Sequence, residues 1–109
     1  MKKGEIYLFN FDPSMGREYR KVRPALVVQS SAVDSFLVTV IPFSSQIHQR
    51  AEGDILVPKD AQNRLFQDSL LKMSHISSFD KSRSLHFIGN LHSDHLAEVN
   101  TYLKSHFEL

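Results

Sequence analysis

The chain has 109 residues, 41% of them hydrophobic and 23% charged, which is the length of one domain with apolar side chains enough for a core, eight Phe among them. It has no cysteine, which excludes a disulfide framework, a thiolate zinc site and a cysteine nucleophile. The net charge of +1 does not by itself announce a nucleic-acid binder, but residues 1 to 50 carry seven Lys or Arg against four Asp or Glu, and residues 51 to 109 carry six against eight. No window approaches the roughly 18 to 20 apolar residues of a membrane span, and no apolar signal core follows Met1-Lys2-Lys3. A soluble, cytoplasmic protein of a single domain, residues 1–109, is expected.

In chain order, Glu5 to Phe11 reads as a strand rich in aromatic and β-branched residues. Ile6, Leu8 and Asn10 fall on one face and Tyr7, Phe9 and Phe11 on the other, so both faces should be covered. Asp12-Pro13-Ser14-Met15-Gly16 breaks it and opens a loop of about a dozen residues, a length that in compact domains tends to be functional or mobile. Ala25 to Val28 and Phe36 to Ile41 are two apolar strands that should form a central hairpin, after which Pro42 to Gln46 should leave regular structure. Asp54 to Val57, Ser69 to Phe79 and Leu85 to Leu91 bring the strands to about six. Leu96, Val99, Leu103 and Phe107 then recur at spacings of three and four, predicting a closing amphipathic helix with Ser93 or Asp94 as N-cap. Many short strands plus one terminal helix predict a small, mostly antiparallel barrel.

The long loop holds Arg17, Arg20, Lys21 and Arg23, opposed only by Glu18. Four cations in seven residues suit a phosphate-binding flap, although composition alone favours a solvated loop kept soluble by its charge, since basic runs of this size are common. Arg23 differs from the others because Pro24 and a buried strand follow it, which restrict its backbone and hold its guanidinium at the loop base. There it can form a fork on a phosphate, or a structural salt bridge to Asp12 or Glu18. Ser44 and Ser45 follow a strand end, where hydroxyls donate to phosphate oxygens or stabilise a turn. Of the six His, only His92 and His95 lie close together, and with the helix starting at Ser93 or Asp94 they read as titrating surface residues rather than metal ligands. There is no G-x-S-x-G elbow, no GxGxxG and no Walker sequence, so neither a serine hydrolase nor a nucleotide cofactor is indicated.

Gly4-Glu5-Ile6, Asp12-Pro13, Gly16-Arg17-Glu18 and Arg23-Pro24, within KGEIYLFNFDPSMGREYRKVRPALVVQ, resemble the opening of the MazF/PemK family of type II toxin-antitoxin ribonucleases. Val40 to Ser45, Asp68-Ser69, Asp80-Lys81-Ser82-Arg83 and the helix after Gly89 extend the resemblance over nearly the whole chain. It implies an SH3-like antiparallel barrel of the MazF/CcdB type with a C-terminal helix, a homodimer, and sequence-selective cleavage of single-stranded RNA, including mRNA, without metal or cofactor. The implied catalytic pair is Arg23 and Ser44, with Arg17, Glu18, Arg20, Lys21, Ser45, Gln46 and His75 contacting RNA and an antitoxin protein as partner. The chemistry is self-consistent: the ribose 2′-hydroxyl supplies the nucleophile, so the protein has only to position the phosphate, stabilise its charge and manage protons. Two positions depart from the pattern. Ser44 stands where Thr is commoner, and Ser77 where many members have Arg, in a Gln-Ile-Arg segment that here reads His75-Ile76-Ser77. Against this reading stand a CcdB-like gyrase poison, which shares the fold but not the catalytic pair, and a catalytically weak RNA- or antitoxin-binding member. Arg23, Ser44 and the basic loop favour the ribonuclease over the gyrase poison, while Ser77 keeps the weak member open.

Overall fold

A computed structural model of the chain describes residues 1–11, 22–33 and 35–109. Seven strands, β1 (Glu5–Asn10), β2 (Val22–Val27), β3 (Leu37–Ser44), β4 (Ile55–Val57), β5 (Ser69–Leu71), β6 (Ser77–Asp80) and β7 (Ser84–Asn90), precede one helix, α1 (Ser93–His106). All pairings are antiparallel, in the order β4-β5-β3-β2-β1-β7, with β6 on β3. The expected central hairpin is thus β2 with β3.

The strand of residues 5–11 has the expected two-sided burial. Ile6 joins Leu26, Ile41, Phe43, Leu71 and Val99 in one buried cluster, against which Leu96, Tyr102 and Leu103 of α1 pack. Phe9 and Phe11 join Ala25, Val27, Val38 and Val40 in a second cluster, flanked by Tyr7 and Phe79. Phe11 meets Phe79 edge-on with ring centroids 5.1 Å apart. Burial and the adjacent Glu5 carboxylate raise the Tyr7 phenol above its ordinary pKa, so it remains protonated and donates to Glu5 Oε1 at 3.1 Å.

Four expectations need correction. β2 begins at Val22, three residues early, and includes Pro24, because Pro24 lies where β2 is bordered by β1 alone, the ladder with β3 starting at Ala25. β3 does not end at Ile41 but runs through Pro42 and Phe43 to Ser44, where it gains new partners in β5. The stretch 69–79 is not one strand. Lys72 N–H bonds the Pro42 carbonyl at 3.0 Å, and then His75 N–H bonds the Lys72 carbonyl and Ile76 N–H the Met73 carbonyl, forming a 3₁₀ turn over Met73–His75 between β5 and β6. The helix starts as expected, but its N-cap is His92, whose ring Nδ1 accepts from Asp94 N–H at 3.1 Å, while Phe107 lies past its end and is 52% exposed.

The barrel does not close through strand pairing: β4 and β7 end the path and do not pair with each other among the described residues. The β4–β5 connection fills that gap. Gln62 accepts from Asn90 N–H at 3.0 Å, and its amide reaches the Leu91 carbonyl. A side chain on Gly89 would meet the Gln62 and Asn63 carbonyl oxygens at 2.6 and 2.5 Å, so only glycine admits this approach. Gly89→Ala should cost about 1–3 kcal/mol, the usual penalty of overpacking against backbone. Urea unfolding measures it, and an unchanged midpoint would mean that the loop yields freely.

Candidate active site

Of the expected site residues, Arg23, Ser44, Ser45 and Gln46 lie at one end of β2 and β3. Arg23 is half-buried in β2 and pairs with Phe9, which on its other side pairs with Ser84 of β7. Ser44 is the last residue of β3 and pairs with Leu70. The β2–β3 ladder runs Val27↔Val40, Leu26↔Ile41, Ala25↔Pro42. Continuing it by two residues sets Arg23 opposite Ser44, on the face that carries Ala25, Val27 and Val40, just where the strands part and β3 turns to β5. Alternation along both strands gives the two side chains a common face.

Ser44 Oγ accepts from Gln46 N–H at 3.2 Å, a bond that fixes the hydroxyl oxygen and leaves its proton for another acceptor. The turn role and the phosphate-donor role are therefore compatible. Ser45 and Gln46 follow on the surface, with Ser45 accepting from Ile47 N–H and Gln46 opening a short 3₁₀ turn, Ile47–Gln49. His75 is exposed at the end of the Met73–His75 turn, along the β3 edge opposite β2, between β5 and β6. Its carbonyl accepts from Ser77 Oγ at 3.2 Å. Arg17, Glu18, Arg20 and Lys21 lie outside the described residues, as do Asp12 and Glu18 as salt-bridge partners for Arg23; the loop that carries them joins β1 to β2 at the end of β2 where Arg23 sits. Among the described residues, no three His, Asp or Glu side chains come together as a metal site would require. His95 instead meets Glu98 at 3.1 Å within α1.

Two neighbouring features escape a reading of the sequence. Arg83 donates to the Asn10 carbonyl at 3.1 Å, bringing a further cation to the end of β1 beside Arg23. Ahead of β7, the Ser82 N–H holds the Asp80 carboxyl below its ordinary pKa and so stabilises the turn that delivers Arg83. The second is a buried ion pair, Lys72 Nζ to Asp54 Oδ2 at 2.5 Å, with the Asp54 side chain 1% exposed. Asp54 Oδ2 also accepts from Ala51 N–H at 2.9 Å, and Arg50 donates to the Asp54 carbonyl. Because Lys72 N–H is bonded to Pro42, this lysine ties the far end of the 45–54 connection to the strand that ends at Ser44. Only a spacing of eighteen residues links the partners in sequence, and no local pattern signals it.

A seven-stranded antiparallel sheet with one helix, folded this way, is the architecture of the MazF toxins. The MazF crystal structure from Deinococcus radiodurans superposes with a TM-score of 0.75 at 28% identity, over 100% of this chain and 97% of that one. A mycobacterial endoribonuclease in complex with its cognate antitoxin shares the fold at 16% identity, with a TM-score of 0.71 over 100% of this chain and 94% of that one. Residues 2–107 match the family described as PemK-like, MazF-like toxin of type II toxin-antitoxin system, and the chain belongs to that family. Among characterised relatives, Endoribonuclease EndoA of Bacillus subtilis is 31% identical over 107 residues, 95% of this chain and 91% of that protein. Endoribonuclease MazF9 of Mycobacterium tuberculosis is 28% identical over 116 residues, 100% of this chain and 98% of that protein.

The ion pair lends itself to a thermodynamic cycle. Lys72→Met should destabilise the fold by about 3 kcal/mol, because it strands a buried carboxylate, whereas the double variant Lys72→Met/Asp54→Leu should recover most of that loss. Additive costs in denaturant titrations would contradict direct coupling of the two groups.

Proposed function

We propose that this chain is a type II toxin that cuts single-stranded RNA endonucleolytically, with Arg23 and Ser44 as its catalytic pair. The observation that carries the proposal is the register of β2 on β3, which, continued two residues beyond its last pair, sets these two residues opposite each other at one end of the sheet. The relatives' names as endoribonucleases support it, and the 28% to 31% identities extend over nearly the full chain.

The reaction needs no nucleophile from the protein. The ribose 2′-hydroxyl attacks the adjacent phosphorus, the O2′–P bond forms and the P–O5′ bond breaks, the hydroxyl proton is lost and the leaving oxygen is protonated. The products are a 2′,3′-cyclic phosphate and a 5′-hydroxyl. Arg23 stays charged and acts electrostatically, its planar fork on the non-bridging oxygens, while Ser44 donates its hydroxyl proton to the same phosphate. Arg17, Glu18, Arg20, Lys21, Ser45, Gln46 and His75 hold the strand on either side, so affinity should fall with salt. A cytoplasmic homodimer presents two such sites. An acidic, partly disordered antitoxin segment would neutralise the basic loop, an inference supported by the antitoxin complexes solved for proteins of this fold.

Arg23→Ala should lower cleavage of a mixed RNA by roughly 100-fold or more with the circular dichroism spectrum unchanged, and Ser44→Ala should cost less. Cleavage by a folded Arg23→Ala protein at the wild-type rate would remove the assignment. End-mapping with EDTA present should reveal 2′,3′-cyclic phosphate termini, and a 2′-deoxy substitution at the cut position should abolish the cut. A requirement for Mg²⁺, or survival of cleavage after that substitution, would point to a hydrolytic nuclease instead.

A further inference from the structure

Phe66 is 89% exposed, the most exposed of the large apolar side chains among the described residues, on a connection whose backbone is otherwise thoroughly tied down. Asn63 at 0% exposure is the hub: its Oδ1 accepts from Asp60 N–H and Leu65 N–H, and its Nδ2 donates to the Pro58 carbonyl at 2.9 Å. Asp60 accepts from Gln62 and Asn63 N–H, and Asp68 accepts from Lys59 N–H. Leu65 is buried in the core cluster that holds Ile6 and Val99. Flanking it are Arg64, exposed and held at a φ of 56° that non-glycine residues seldom adopt, and Phe66. One oxygen of each loop carboxylate, Asp60 and Asp68, is bonded to the loop's own N–H groups, and beside these exposed polar residues the loop presents a guanidinium and an aromatic ring to solvent.

The loop is placed to use them. Ser44 pairs with Leu70, so the chain leaves β3 at the same end at which this loop enters β5 at Ser69. An aromatic face beside a cation, on a preorganised backbone, is the arrangement by which proteins hold bases of single-stranded nucleic acid, since every base has a π-face and its phosphate a charge. An acidic protein segment would use the cation but would have no comparable need of an isolated, fully presented ring. We propose that Phe66 is a base-stacking residue that, with Arg64, holds a nucleotide next to the phosphate at Arg23 and Ser44. This rests on the ribonuclease reading for the position of the nucleotide, but the stacking itself is tested by binding alone.

The test uses the full chain with two fluorescein-labelled probes whose 2′-oxygens are methylated so that they cannot be cut: a 12-nucleotide oligoadenylate, and an abasic ribose-phosphate chain of the same length. Phe66→Ala, an exposed change whose fold circular dichroism verifies, should weaken oligoadenylate binding roughly tenfold and leave the abasic chain unaffected. Phe66→Trp should bind within about twofold of wild type, and Arg64→Gln should weaken both probes alike and flatten the salt dependence. Wild-type affinity of Phe66→Ala for oligoadenylate would overturn the proposal, as would equal losses on both probes or full restoration by Phe66→Leu. Wild-type RNA affinity combined with weaker self-association would reassign the ring to a contact between copies. Failure of the wild-type protein to cleave mixed RNA would instead defeat the ribonuclease reading, whatever the stacking result.

Discussion

Everything else in the molecule hangs on β3, one strand that must satisfy neighbours on both edges while changing partners along its length. Its residues 40–42 pair with β2 on one edge; on the other, residues 37–40 pair with β6 and residues 43–44 with β5. The Met73–His75 turn is the seam between those two partners, and the Lys72 N–H, spent on the Pro42 carbonyl, is the stitch that holds it. Because proline brings no N–H of its own, Pro42 can sit at the changeover with only its carbonyl to satisfy. The ladder with β2 lapses at this point, and that is why the Arg23 and Ser44 side chains are left at an open end rather than sealed within a sheet.

Polar groups carry unusual weight around that end. A domain of this size has a modest core, so connections of ten or more residues would ordinarily be its loosest parts. Here each long connection in the described region wraps a buried polar side chain: Asp54, with Lys72, for residues 45–54, and Asn63 for residues 58–68. Buried groups of this kind are costly when any partner is missing, and each has its partners: no buried side-chain nitrogen or oxygen is left without one among the described residues. What they supply is fixed geometry for the surface residues between them.

How much of this was legible follows from the range of each signal. Residues 5–11 and the helix were readable because alternation and the spacing of Leu96, Val99 and Leu103 are local, and both are set by which side faces the core. The error at 69–79 came from the same source, since an apolar run looks continuous in sequence even where a hydrogen bond from Lys72 to Pro42 interrupts it. His92 does not stand out as a cap beside the neighbouring serine and aspartate, yet the unprotonated nitrogen of a neutral imidazole also accepts a backbone N–H. At the candidate site, Arg23-Pro24 and Ser44-Ser45 each had a structural reading from the residues alone; the family resemblance paired them, and the β2–β3 register is the structural relation between them. The Asp54 to Lys72 pair and the Asn63 hub leave no local trace, because their partners come from chain segments whose meeting is a property of the tertiary fold.

The pairing of β1 with β7 bears on how the molecule assembles. Ile6 lies against Gly89, and Leu91 N–H returns to the Gly4 carbonyl, so a strand near one end of the sequence is completed by one near the other. Such a ring of contacts is bought late: loop-closure entropy delays non-local strand pairing until the intervening chain has condensed. β2 and β3 can form from neighbouring sequence well before that, but Arg23 sits opposite Phe9, and β1 has its second neighbour only after closure. The site's rigidity is therefore a property of the finished ring, and partly folded chains would hold its residues without holding its shape.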